Sequence, residues 1–389
     1  MNVPKLRFPE FSGEWEEKKI DAIFDEMKDK NHPSEEVLTI IQGIGTIPRK
    51  ESGRNIIFDE KSLSSYKYVE KDNFIIHLRS FEGGLEIANS NGIVSPAYII
   101  MKPKIPIASR FLYAYFRSYR FINHVLPVAV EGVRDGRQIK YPILKEEKIP
   151  FPSLPEQQKI ADFLSIVDSI IASEIKILNA LQKKKKALMQ KLFSQQLRFK
   201  ADDGSEFPEW VEKKLGDFCT TFSGGTPKSG TSEFYNGNIP FIRSGEIESD
   251  STALFLSELG IKNSSAKIVY KGDLLYALYG ANSGLCAISK IEGAINQAIL
   301  CIQTKENNVF LCNYLKSQRE YFYSTFLQGG QGNLSGKLVE SYIIPLPCKE
   351  EQQKIADCLS SLDNLIQNQQ KIVTNWQQRK KGLLQQMFI

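Results

Sequence analysis

The stretch Glu156-Gln157-Gln158-Lys159-Ile160-Ala161-Asp162 returns letter for letter as Glu351-Gln352-Gln353-Lys354-Ile355-Ala356-Asp357. The offset is 195 (351 − 156). Carried forward without a gap it brings Phe193 onto Phe388, with 19 of the 38 aligned positions identical. Upstream, Ile149-Pro150-Phe151-Pro152 falls on Ile344-Pro345-Leu346-Pro347. Near the start of each half, Glu14-Trp15 and Lys18-Lys19 fall on Glu209-Trp210 and Lys213-Lys214. Twice 195 spans nearly all 389 residues, so the chain reads as two similar halves, each a variable part followed by a shared part.

The shared part reads as helix. Pro155 closes the preceding segment, Glu156 supports a helix start, and apolar residues recur at three- and four-residue steps. They are Ile160, Phe163, Val167, Ile170, Ile177, Leu181, Leu188 and Leu192 in the first copy. In the second they are Ile355, Leu359, Leu362, Ile366, Val373, Trp376, Leu383 and Met387. A helix of 38 residues is about 57 Å long at 1.5 Å per residue. One apolar stripe left in water is unfavourable, so each helix needs a partner. The simplest partner is the other copy, packed antiparallel about a pseudo-two-fold axis. The alternatives are that each helix covers its own domain or mediates homodimerisation.

The variable parts read as mixed α/β. Phe74–Leu78, Ala97–Met101 and Ala298–Ile302 are β-branched or apolar runs bounded by Gly, Asn or Pro. Short helices are expected around Ser109–Tyr119 and Val309–Phe322. Gly92-Ile93-Val94-Ser95-Pro96-Ala97 matches Gly293-Ala294-Ile295-Asn296-Gln297-Ala298 in character, so the scaffold looks duplicated while the surfaces have diverged.

Composition excludes several classes. Apolar residues are 42% and charged residues 24%, ordinary for a globular protein, and the net charge of +5 permits nucleic-acid binding without requiring it. All six cysteines lie in the second half with no CxxC spacing, which argues for reduced thiols. The N-terminus lacks the layout of a signal peptide, and no run of about 18 apolar residues occurs, so a cytoplasmic location is expected. His32, His77 and His124 are scattered without metal-ligand spacing. Gly332-Asn333-Leu334-Ser335-Gly336-Lys337 resembles a P-loop, but it has three residues between its glycines where four are needed. No methyltransferase motif and no acid/base couple stand out.

The Pro-x-Pro-x-x-x-Glu-Gln-Gln-Lys-Ile-Ala-Asp block, once mid-chain and once near the C-terminus, resembles the conserved regions of type I restriction-modification specificity subunits. Gly224-Gly225-Thr226-Pro227-Lys228, followed by Tyr235-Asn236-Gly237-Asn238-Ile239-Pro240-Phe241-Ile242, resembles the opening motif of one class of their target recognition domains. The first half lacks this motif. The resemblance implies an α+β fold: two mixed α/β target recognition domains in pseudo-two-fold arrangement, separated by two long antiparallel coiled-coil helices. The expected division is 1–149 and 197–344 for the recognition domains, 150–196 and 345–389 for the conserved helices. It implies a non-catalytic DNA-binding subunit in which each domain reads half of a bipartite asymmetric site. The helices would set the spacer and dock two methyltransferase (M) subunits, with restriction (R) subunits joining that core. This chain would bind no cofactor or metal; S-adenosylmethionine, ATP and Mg would serve other subunits.

DNA reading needs cations for phosphates and forked donors or acceptors for base edges. In the second domain the candidates are Lys228, Arg243, Ser244, Asn296, Gln297, Gln331 and Asn333. In the first they are Arg49, Lys50, Arg54, Arg79, Arg134, Arg137 and Gln138. Any one of them taken singly reads as well as a solvated surface side chain. Tyr276 and Tyr279 are expected in the core. Lys183-Lys184-Lys185-Lys186, matched by Gln378-Arg379-Lys380-Lys381, is a solvated helix face, a contact to the DNA spacer or a partner contact. Two other classes compete. A fused nuclease or methyltransferase lacks the length for a catalytic domain, and a protein-binding scaffold is disfavoured by the Gly-rich basic loops.

Overall fold

The structure is a computed structural model, and it describes residues 3–53, 60–77, 84–132, 138–326 and 333–388. It divides into two compact units. One comprises residues 1–176 and 371–389, the other residues 177–370. Each is interleaved from both halves of the sequence, because both long helices are shared between the units. The central helix, Leu154–Phe193, gives its first part to the first unit; the C-terminal helix, Lys349–Met387, gives its last part to that same unit.

In the first unit, four antiparallel strands stand in the order Phe24–Met27, Ile99–Pro103, Phe74–Ile76, Leu85–Ile87. Gly92–Val94 pairs with Lys67–Val69, and Val37 bridges Ile93 in parallel at the root of the hairpin Leu38–Ile41/Gly45–Pro48. Helix Ser109–Phe116 packs beside the four-stranded sheet and buries Phe111, Leu112, Tyr115 and Phe116. Glu16–Lys19 pairs with Lys148–Phe151 immediately before the central helix.

The second unit repeats this plan. Cys219–Ser223, Ile299–Thr304, Leu274–Ala277 and Cys286–Ile288 form the equivalent antiparallel sheet in the same order. Ile239–Ile242 lies parallel to Gly293–Ile295, which pairs antiparallel with Lys267–Val269. Helix Asn308–Ser317 takes the place of Ser109–Phe116, its Asn307 side chain capping the amides of Val309 and Phe310. Val211–Lys214 pairs with Ile343–Leu346.

The recurring heptapeptide is an anchor between helix and domain. Glu156, 2% exposed, receives Arg7 at 2.7 and 2.9 Å and the Trp15 indole N–H at 3.1 Å. Glu351, fully buried, receives Arg198 at 3.1 and 2.9 Å and Trp210 at 3.0 Å. Gln157 donates to the Pro152 carbonyl and accepts from the Ala108 amide before the short helix; Gln352 does the same with Pro347 and Asn307. Gln158 and Gln353 bond Asp162 and Asp357 one turn on. Ile160, Ala161, Ile355 and Ala356 complete the cores. A buried charge needs a partner and full hydrogen bonding, and this fixes the identity of nearly every residue in the motif.

Within each unit the two helix stretches run antiparallel. In the first, Ile160 and Leu164 share a core with Met387 and Phe388, while Asp168 pairs with Lys380. In the second, Leu192 and Phe193 share a core with Ile355 and Leu359, while Lys185 pairs with Asp363. The stripe differs from expectation at Ile177, which is 47% exposed, with Leu178 buried in its stead. A 3.6-residue helix drifts past a seven-residue repeat, so the inward position moves on by one. The central helix also begins at Leu154, earlier than Glu156, with Pro155 in its first turn where a missing N–H costs nothing.

Candidate nucleic-acid interface

In the second unit the strands ending at Ile242, Ala277 and Ile295 open onto one group of turns. Gly224-Gly225 fits tightly there: the Gly225 amide donates to the Ile295 carbonyl, and a Cβ on Gly224 would overlap that carbonyl. The Thr226 hydroxyl donates to Gln297 Oε1 at 2.6 Å, and the Tyr235 hydroxyl donates to the Pro227 carbonyl at 2.7 Å. The motif thus sets exposed Lys228 beside the Asn296-Gln297 turn. Asn296 spends its Oδ1 on the Ala298 amide at 3.1 Å, which shapes the turn.

Arg243 and Ser244 lie on the adjoining turn. Arg243 forks onto Glu246 at 3.0 and 3.1 Å and holds that carboxyl below its ordinary range. Gly245 faces Asn282, so this turn adjoins Tyr279–Ser283, which Arg319 ties down through the Ala281 and Ser283 carbonyls. The Leu334 amide donates to the Leu278 carbonyl, bringing exposed Asn333 to the same place. Lys228, Arg243, Ser244, Asn296, Gln297 and Asn333 are therefore gathered at one end of the unit. Gln331 lies outside the described residues.

Tyr276 is fully buried, as expected, but Tyr279 is 37% exposed on this group of turns. Leu278 takes the last inward position, and the chain leaves the strand at Tyr279, turning its ring outward. Tyr279 and Asn282 join the candidate surface. Sequence pattern held no sign of this, since their neighbours come from Gly245 and Arg319.

In the first unit, Arg49 and Lys50 sit on the turn Arg49–Glu51. The Arg49 guanidinium lies 5.9 Å from the Tyr66 ring centre, and Lys50 pairs with Glu36 at 3.0 Å. Gln138 is exposed on the short strand Gln138–Ile139 beside Val130–Glu131. Arg54, Arg79, Arg134 and Arg137 lie outside the described residues.

The lysine run is not uniform. Lys183, Lys184 and Lys186 are exposed, whereas Lys185 is turned inward onto Asp363, a role that none of the three sequence readings held. The P-loop-like segment is a helix start: Leu334 is buried, and Ser335 caps Gly336–Glu340 by accepting from the Leu338 amide. The six cysteines are free. Among the described residues no group of His, Cys, Asp and Glu could hold a metal ion, and no helix is long and apolar enough to cross a membrane.

A chain that builds one mixed-sheet scaffold twice, and gathers amide and cationic side chains on its turns, belongs to the class of double-headed recognition proteins. Residues 12–183 and 208–375 both match the type I restriction modification DNA specificity domain. The chain is 26% identical to the "Putative type I restriction enzyme MjaX specificity subunit" of Methanocaldococcus jannaschii, covering 98% of this chain and 95% of that one. It is 26% identical to the EcoR124I/EcoR124II specificity subunit of Escherichia coli over 64% of this chain and 63% of that one. A crystal structure of the type I system S subunit from M. genitalium superposes with a TM-score of 0.61 at 19% identity, covering 100% and 99% of the two chains. A chain solved in work on complex assembly and conformational transition of the type I R-M system gives 0.60 at 16% identity, over 95% and 96%. This chain belongs to the type I restriction-modification specificity family, whose members are non-catalytic DNA-recognition subunits.

Proposed function

We propose that this protein directs a type I restriction-modification complex to a bipartite, asymmetric DNA site, each unit reading one half. The observation that carries the reading is internal. One topology occurs twice, and its anchors to the helices are the same residues, while the turns carry different side chains: Lys228, Arg243, Asn296 and Gln297 in one unit, Arg49, Lys50 and Gln138 in the other. Constant anchors with altered turns are what two half-sites of different sequence demand.

On this reading 1–149 and 197–344 are the recognition domains, and 150–196 and 345–389 the conserved helices. The helices set the unread spacer and dock two methyltransferase subunits; restriction subunits join that core, so one specificity governs both modification and cleavage. S-adenosylmethionine, ATP and Mg belong to those partners. The half-sites would face the protein about one turn of duplex apart, roughly 34 Å. The remaining candidates, Arg54, Arg79, Arg134, Arg137, Ser244, Gln331 and Asn333, are proposed contacts of the same kind. Mapping DNA methylation in the host with the gene intact and deleted tests the reading. Loss of methylation at one bipartite motif on deletion supports it; an unchanged methylome, with no sequence preference in the purified protein, overturns it.

A further inference from the structure

Each unit contains a cleft between its short helix and the long-helix pair, and the two clefts correspond. In the second unit a cavity of about 510 Å³ is lined by Lys185, Lys186, Met189, Lys316, Arg319 and Ile366, among others. In the first unit a smaller one, about 150 Å³, is lined by Arg110, Arg117, Leu164, Asp168, Lys380 and Leu384, among others. Lys380 is Lys185 moved by 195 residues, and Leu384 is Met189 moved likewise. Aligning the short helices on Phe111 and Phe310 sets Arg117 on Lys316. The recognition halves otherwise share little sequence, yet at this one place both keep a cation from the short helix facing a lysine from the long pair.

Carboxylates answer most of this charge. Lys185 pairs with Asp363, Lys186 with Glu320 and Lys316 with Glu248. Lys380 pairs with Asp168, and Arg117 with buried Glu86. One guanidinium in each cleft is held through neutral oxygens. Arg110 donates to the Asn89 amide oxygen at 2.9 Å, and Arg319 to the Ala281 and Ser283 carbonyls at 3.2 and 3.3 Å. Those bonds fix the two side chains and leave their charge in place. A fixed, planar cation at the mouth of a cleft suits a phosphodiester, which accepts from a guanidinium in the geometry of its fork.

We propose that the two clefts are paired phosphate seats, each receiving one backbone phosphate of bound DNA through Arg110 and Arg319. They fix the register of the duplex and carry no sequence information. The larger cleft adds Lys186, whose ion pair with Glu320 at 3.8 Å is loose and exposed. This inference rests on the DNA-specificity reading above and extends it to residues outside the base-reading turns.

The test measures equilibrium binding of the full-length protein to a duplex carrying its mapped motif and to a scrambled duplex, over a range of salt. Arg110→Gln keeps a hydrogen bond to Asn89 while removing charge; Arg319→Gln does so for its carbonyls, and Lys186→Ala alters a side chain on the helix surface. Each arginine variant is expected to lower the slope of log K against log salt by about 0.9, the contribution of one phosphate. Affinity for both duplexes should fall together and the methylated motif should stay the same. Slopes equal to wild type overturn the phosphate seats, as does a changed motif, or lost binding to partner subunits with DNA binding intact. Lys186→Ala guards against a disturbed turn at Ala281–Ser283: it too should weaken both duplexes equally, and no change in any of the three sinks the proposal. Absence of salt-sensitive, motif-preferring binding in the wild type is a separate result, and it would overturn the specificity reading itself.

Discussion

Lys185 donates to Asp363 at 2.6 Å, and the same pair occurs a second time, because Lys380 donates to Asp168. Moving Lys185 and Asp168 forward by 195 residues gives Lys380 and Asp363. Each lysine therefore meets the aspartate of the other copy of the repeat. The duplicated helix carries both halves of an ion pair that it cannot form within itself, and antiparallel pairing satisfies both at once.

Reversing Lys185 to Asp should weaken this pairing, and adding Asp363→Lys should restore it. The effect of either single change is about 1 kcal/mol, since Asp363 is partly exposed to solvent. Chemical denaturation of the two single variants and the double variant measures the coupling directly. Additive losses would mean that the pair is incidental.

The anchor carboxylates carry a larger effect. Arg7→Ala would leave Glu156 buried opposite only the Trp15 indole, at a cost of about 3–5 kcal/mol. Arg198→Ala should do the same through Glu351. Glu156→Gln in the Arg7→Ala background removes the stranded charge and should recover part of the loss, read as the midpoint of urea unfolding.

The helix ends give a crossed prediction. Phe388 packs 5.5 Å from Phe111 and 5.7 Å from Tyr115, whereas Phe193 packs 5.9 Å from Phe310 and 5.4 Å from Tyr314. Phe388→Ala should destabilise by about 3–5 kcal/mol. Hydrogen exchange should then rise in Ser109–Phe116 and stay low in Asn308–Ser317; Phe193→Ala should give the reverse. Loosening of both helices by either variant would contradict this account.

Gly224→Ala tests the recognition motif. The new methyl group meets the Ile295 carbonyl, a backbone atom that cannot swing away. A cost of about 1–3 kcal/mol follows, confined to the second unit, together with weaker reading of one half-site. Wild-type stability would show that the loop has room that this packing denies.

Duplication, helix spacing and the α/β character were legible because they are written in periodicity and repeated letters. The first anchor arginine was not. Leu6-Arg7-Phe8 matches Leu197-Arg198-Phe199 at an offset of 191, four residues away from the main register, so an ungapped comparison passes over it. Both arginines nonetheless reach their carboxylates, since the extra residues precede Trp210 in a turn between Ala201 and Ser205. Lys185 and Lys186 are alike in sequence, and only the facing helix separates an inward lysine from an exposed one. The gathering of Lys228, Arg243, Asn296 and Asn333 was legible as a set of residue types. Their convergence, and the addition of Tyr279 and Asn282, depend on strand ends brought together by the sheet order.

The central claim is that each unit reads one half of a divided DNA site. It is tested most directly by replacing residues 197–344 with the corresponding segment of another family member and mapping methylation in the host. The account predicts a new motif in which one half changes while the other half keeps its bases. A motif altered in both halves, or one unaltered in either, would contradict it.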